Sequence, residues 1–303
     1  MGRRIHKFLC GLLLLICLSG IIISFLRNED AQESSFFGQS ETEEREEAQR
    51  EFAQPEETGE AQREALETEM QKEAAMAMAQ AIEREEERIL NLSAGEMAAA
   101  GMVEAELTHR LFFASAIGDE LLERILGKSY VENENIDLSE LSYLKMLYVG
   151  FNGNTYVGEM IVNQKIEAEI LSIFKTLYEN QYPIEKMVLI DAYQADDEMS
   201  MRDNNTSAFN YRTVAGSQKL SNHSFGMAVD LNPKYNPYVK INADGKTVCQ
   251  PECAMEYADR SREFDYKIDE NDLAYQLFTD AGFTWGGNFR SVKDYQHFEK
   301  EID

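Results

Sequence analysis

Residues Phe8 to Leu26 form an uncharged, apolar run, and a helix crossing a bilayer needs about 20 such residues. Arg3, Arg4 and Lys7 precede the run, and acidic residues soon follow Arg27. An excess of bases marks the cytoplasmic side, so everything beyond the run is expected outside the cell. A cleaved signal peptide is the rival reading, because Ser19 and Gly20 are small. The apolar run nevertheless continues past them without an Ala-x-Ala site. Cys17 is a poor lipidation site, since bulky Ile16 precedes it. The expectation is a retained single-pass anchor over residues 1–27, with the remainder outside the cell.

The next stretch does not read as globular. Glu29 to Leu90 holds 20 acids against 6 bases, a net −14 of the chain's −26. Ala, Glu, Gln, Met and Arg dominate it, and these residues favour helix, but Pro55 and Gly59 interrupt the run and no heptad persists. Residues 28–104 are therefore expected to be an acidic spacer, partly helical and partly disordered, with a short coiled coil as the alternative. About 50 helical residues would reach on the order of 75 Å. Such acidity argues against nucleic acid or anionic lipid as a partner.

Beyond Gly101 the composition turns globular, and the folded domain is expected over residues 105–303. Leu107–Leu126 reads as helix, Leu144–Phe151 as a strand ending in the turn signal Asn152-Gly153. Ile166, Ile170, Ile173, Phe174 and Leu177 share one helical face. Met187–Tyr193 and Met227–Leu231 read as strands, Asp272–Ala281 as a helix stopped by Gly282. Phe283–Trp285 and Gln296–Glu299 complete the expected class: a small α+β domain with a mainly antiparallel sheet, flanking helices and its site on one sheet face. Trp285 reads as a packing anchor. Cys249 and Cys253 flank Pro251 and could pair or remain free thiols; a Cys-x3-Cys zinc site lacks further ligands.

The chain has four histidines. His6 lies in the basic N-terminal cluster and His109 in a stretch read as structural. The other two, His223 and His297, each sit in a Phe-flanked segment with a carboxylate at fixed offset, Asp230 and Asp294. Two imidazoles plus one carboxylate leave a fourth tetrahedral position open, which is how catalytic zinc is held. The bland alternatives are hydrogen-bonded core histidines, a turn-capping Asp230 and a solvated Asp294. If all four serve one site, residues 294 and 297 would face opposite sides of a straight strand, so a bend at Tyr295-Gln296 is expected. Gly226 is expected to turn the chain from a loop bearing His223 into the strand bearing Asp230.

The run Asp203 to Arg212, then Leu220 to Asp230, Trp285-Gly286-Gly287 and Asp294 to Phe298 resembles the VanY-like zinc peptidases of bacterial cell walls. That family's pattern is Ser-x-His-x6-Asp followed far downstream by Asp/Glu-x-x-His, and the resemblance spans roughly 129–300. It implies one catalytic Zn2+ on His223, Asp230 and His297, with Asp294 as general base. Arg212 stands where the family tends to keep an arginine for the developing oxyanion, a role suited to a guanidinium that keeps its charge; its alternative is a structural salt bridge. The implied function is a membrane-anchored peptidase of peptidoglycan stem peptides. The Trp-Gly-Gly and Asp-x-x-His-Phe-Glu wording leans to an L-alanyl-D-glutamate endopeptidase, with a D-alanyl-D-alanine carboxypeptidase as runner-up. A non-catalytic wall-binding module and a membrane scaffold are the other classes, and intact Asp294 and Arg212 speak against the first.

Overall fold

The computed structural model describes residues 56–214 and 217–301. The apolar run Phe8–Leu26 and the spacer up to residue 55 lie outside the described residues. No described helix is long and apolar enough to cross a membrane. The chain divides into two compact units, residues 1–81 and 82–303.

In the first unit the described residues belong to helix α1, Glu56–Leu90, whose last turns enter the second unit. Gly59 lies inside this helix and does not break it. One exposed glycine costs a helix only about 1 kcal/mol against alanine, and strong helix formers surround it.

The second unit is α+β and begins at Ile82, upstream of the start expected at Ala105. Ile89, Ala98 and Val103 are buried with Leu107, Leu147 and Tyr178. Lys145 Nζ donates to the carbonyls of Leu90 and Leu92, covering groups that a helix end leaves unpaired. Strand β1 (Met97–Ala99) then joins a four-stranded antiparallel sheet with β2 (Phe113–Ala116), β3 (Leu141–Val149) and β4 (Thr155–Asn163), in the order β1-β4-β3-β2. The β3–β4 hairpin closes with Val149 opposite Thr155, around the expected Asn152-Gly153 turn.

The stretch expected as one helix over 107–126 is instead α2 (Ala105–Thr108), β2 and α3 (Asp119–Ile125). Pairing of β2 with the edge of β3, Ala114 opposite Leu144, overrides the helical propensity of a short segment. The expected strand over 187–193 is also absent. Val188 exchanges hydrogen bonds with the Asn205 side chain, and Leu189 N–H points at Glu159 Oε1, before a 3-10 turn at Ile190–Tyr193. Polar side chains thus replace a strand partner there.

Helix α4 (Glu167–Glu179) buries Ile170, Ile173, Phe174 and Leu177 against the sheet, the face that periodicity indicated. Later come α5 (Asp197–Arg202), β5 (Ala228–Asp230), the hairpin β6 (Tyr238–Ile241) and β7 (Thr247–Gln250), then α6 (Leu273–Asp280). Asp272 caps α6 by accepting from Ala274 N–H, as an N-cap carboxylate does. Strands β8 (Thr284–Trp285), β9 (Lys293–Asp294) and β10 (His297–Glu299) end the fold. Two three-stranded antiparallel sheets result, β5-β10-β8 and β7-β6-β9. Phe298 of β10 is fully buried and stacks on Phe278 of α6, centroids 4.3 Å apart, so the main core holds this small sheet. Cys249 and Cys253 are free thiols, the first buried and the second exposed.

Candidate metal centre

β5 and β10 run antiparallel with Asp230 directly opposite His297. Side chains of such a pair project to the same face, with Cβ atoms about 5 Å apart. The third member arrives from a 3-10 turn, Asn222–Phe225, begun by the Ser221 hydroxyl, which accepts from His223 N–H. Gly226 ends this turn at φ 65°, and a Cβ there would stand 2.5 Å from Asn163 N. Only glycine meets both demands. The expected turn from His223 into the Asp230 strand is what the chain makes.

His223, Asp230 and His297 are all buried, and one ligand atom from each lies within 4.8 Å of the others. His223 Nε2 is 3.2 Å from His297 Nδ1 and 3.2 Å from Asp230 Oδ2; His297 Nδ1 is 3.0 Å from Asp230 Oδ1. Bonds of about 2.0–2.1 Å to a tetrahedral ion would separate neighbouring ligand atoms by about 3.3 Å. The outward ring nitrogens have partners of their own: His223 Nδ1 with the Ala208 carbonyl at 2.5 Å, and His297 Nε2 with Glu299 at 3.0 Å. An outward hydrogen bond of this kind leaves the inward nitrogen free to ligate. The set therefore fits a zinc ion.

Electrostatics mark the same cluster. Burial opposes a charge on Asp230, yet His223 and His297 hold its carboxyl well below the usual range. Burial also opposes a charge on His297, but hydrogen bonds from its ring to Asp230 and Glu299 push it up to about 10. Asp294 behaves oppositely: burial pushes it up to about 6 against the pull of His297. Its Oδ1 is buried without a hydrogen-bond partner, and an orphaned buried polar atom calls for an explanation in function.

The expected bend between Asp294 and His297 is present. Asp294 pairs with Tyr238 in one sheet while His297 pairs with Asp230 in the other. Trp285 Nε1 donates to the Tyr295 carbonyl between them, and Leu231 N donates to the Gln296 carbonyl. Trp285 is buried edge-on against Tyr275, the anchoring role read from the sequence.

Arg212 is brought alongside rather than into the group. Its backbone exchanges hydrogen bonds with the Ser224 hydroxyl, while its Nε is paired with Asp197 of α5. Asp197 in turn accepts from Asn210 Nδ2 at 2.8 Å. Asp197 escaped the sequence reading, and Asn222, Gly286 and Glu299 entered it only as members of motifs, with no role of their own. Glu299 alone had a local signal, since two residues past His297 on a strand is the same face. His109 is exposed at the C-terminal end of α2.

Residues 215–300 match the family model described as D-alanyl-D-alanine carboxypeptidase. The matched segment contains His223, Asp230, Asp294 and His297 and stops short of Arg212. It supports the VanY-like zinc-peptidase resemblance and a peptidase acting on peptidoglycan. No curated protein and no solved structure matches the chain.

Proposed function

We propose that the protein is a zinc metallopeptidase hydrolysing an amide bond of peptidoglycan stem peptides, tethered to the membrane by residues 8–26 with its catalytic unit on the wall side. The observation that carries this reading is the buried His223–Asp230–His297 triangle with Asp294 beside it, one of whose carboxylate oxygens, Oδ1, is buried without a partner. His223 Nε2, His297 Nδ1 and an Asp230 oxygen would hold the ion. Zinc supplies Lewis acidity, which polarises a carbonyl and makes water nucleophilic near neutral pH.

The chain's own groups do the rest. Asp294, raised to about 6, is ionised at neutral pH yet basic enough to take the proton of an attacking water. The same carboxyl then returns that proton to the departing amine. Arg212, steadied by Asp197, offers its remaining N–H groups to the negative charge that grows on the carbonyl oxygen. Burial around the cluster strengthens each of these interactions by keeping the local dielectric low.

The wording of the sequence motifs leans to an L-alanyl-D-glutamate endopeptidase, whereas the description of the matching family points to removal of terminal D-alanine. Incubating peptidoglycan with the full chain, then identifying the released ends by mass spectrometry, separates the two. New N-terminal D-glutamate identifies the endopeptidase and free D-alanine the carboxypeptidase. Asp294→Asn should keep its zinc and lose about 10²–10⁴-fold in rate. Wild-type rates in that variant, or loss of its zinc, would remove Asp294 from the role.

A further inference from the structure

Glu299 is not part of the ligand triangle, yet it is tied to both sides of it. Its Oε2 lies 3.0 Å from His297 Nε2 and accepts from Asn222 Nδ2 at 2.6 Å. Asn222 is the residue before His223, so one carboxylate oxygen braces the two histidine segments to each other. The backbone supports the geometry: Glu299 pairs with Ala228 on one side and Thr284 on the other, in the same strand as His297. A neutral imidazole carries its proton on one nitrogen, and the hydrogen bond made by that nitrogen decides which one remains a ligand. A carboxylate at Nε2 keeps the proton there and turns Nδ1, with its lone pair, toward Asp230 and His223.

We propose that Glu299, itself oriented by Asn222, is a positioning residue that selects the Nδ1-ligating form of His297 and thereby sets the affinity of the site for its metal. The inference rests on the proposed metal site and adds to it a residue that touches neither ion nor substrate. Outer carboxylates of this kind are typically worth 10–100-fold in metal affinity.

The test uses the full chain, labelled with 15N-histidine; its four histidines give a readable spectrum. Competition titration with a zinc chelator gives the affinity, and the ring-nitrogen shifts of the zinc-loaded protein show which nitrogen of His297 ligates. Glu299→Ala is expected to bind zinc 10–100-fold more weakly. Asn222→Ala, which leaves the carboxylate in place, should lose less. Glu299→Gln should recover part of the alanine loss, because its amide oxygen still accepts from Nε2–H, a rescue that a purely structural role does not require. Wild-type His297 should show a proton on Nε2 and zinc on Nδ1. Glu299→Ala binding zinc within twofold of wild type, or wild-type His297 ligating through Nε2, would overturn the proposal while leaving the metal site intact. Wild-type chain that binds no zinc would instead overturn the metal site itself.

Discussion

A Cβ placed on Gly286 would stand 2.5 Å from the Asp294 carbonyl oxygen and 3.2 Å from His297 Cβ. The Trp-Gly-Gly segment is thus the floor against which the strand bearing the proposed base and the strand bearing a proposed ligand are pressed.

Gly286→Ala therefore tests the bend directly. One added methyl must displace either Asp294 or His297, and overpacking of this kind costs typically 1–3 kcal/mol. A misplacement of about 1 Å near the reacting groups costs about 10²-fold in rate. We expect a folded protein with a lowered Tm and kcat/KM down about 10–100-fold. Unchanged thermal melting and turnover would show that the bend yields freely.

The pH dependence of Asp294 should have opposite signs in activity and in stability. The base works ionised, so kcat/KM should fall as pH drops through about 6. Its folded pKa is raised above its ordinary value near 4, so burial favours the protonated fold. That stabilising contribution is complete below about pH 4 and lost as pH rises through about 6. In the metal-free chain, Asp294→Asn should then be more stable than wild type by about 1–3 kcal/mol at pH 7. The two should converge below pH 4, as read by denaturant unfolding at several pH values. Equal stability at pH 7 would contradict the buried carboxylate.

Arg212 and Asp197 should separate charge stabilisation from metal binding. Arg212→Ala removes the proposed oxyanion donor and should lower kcat by about 10²–10³-fold. Asp197→Ala leaves the guanidinium but releases it, so its loss should be smaller and in the same parameter. Zinc content measured by metal analysis should stay near wild type in both. A variant that loses zinc would tie Arg212 to the ligand segment, through Ser224, rather than to substrate.

Phe298 joins the site to the core. It lies between His297, a proposed ligand, and Glu299, its proposed brace, fully buried on Phe278. Phe298→Ala should cost about 3–5 kcal/mol, read as a lowered denaturant midpoint, with zinc affinity falling in parallel because β10 loses its anchor. Loss of zinc without loss of stability would argue against this coupling.

Much of the cluster was legible before any coordinates. Scarce histidines at fixed offsets from carboxylates, a glycine where the chain must reverse, and parity arguments for a bend are local signals, and local chemistry sets them. The helical face of α4 and the stop of α6 at Gly282 were legible for the same reason. What the sequence could not decide depended on partners distant along the chain. The helix read over 107–126 was split by strand β2 because β3 offered an edge, and the strand read over 187–193 lost its ladder to Asn205 and Glu159. The direction in which His297 presents its nitrogens likewise needed Glu299 held by Asn222 from across the site. Residue type and spacing thus determined which groups could form the centre. Tertiary packing decided how they face one another, because a hydrogen bond or a strand edge is worth its energy only once both halves have been brought together.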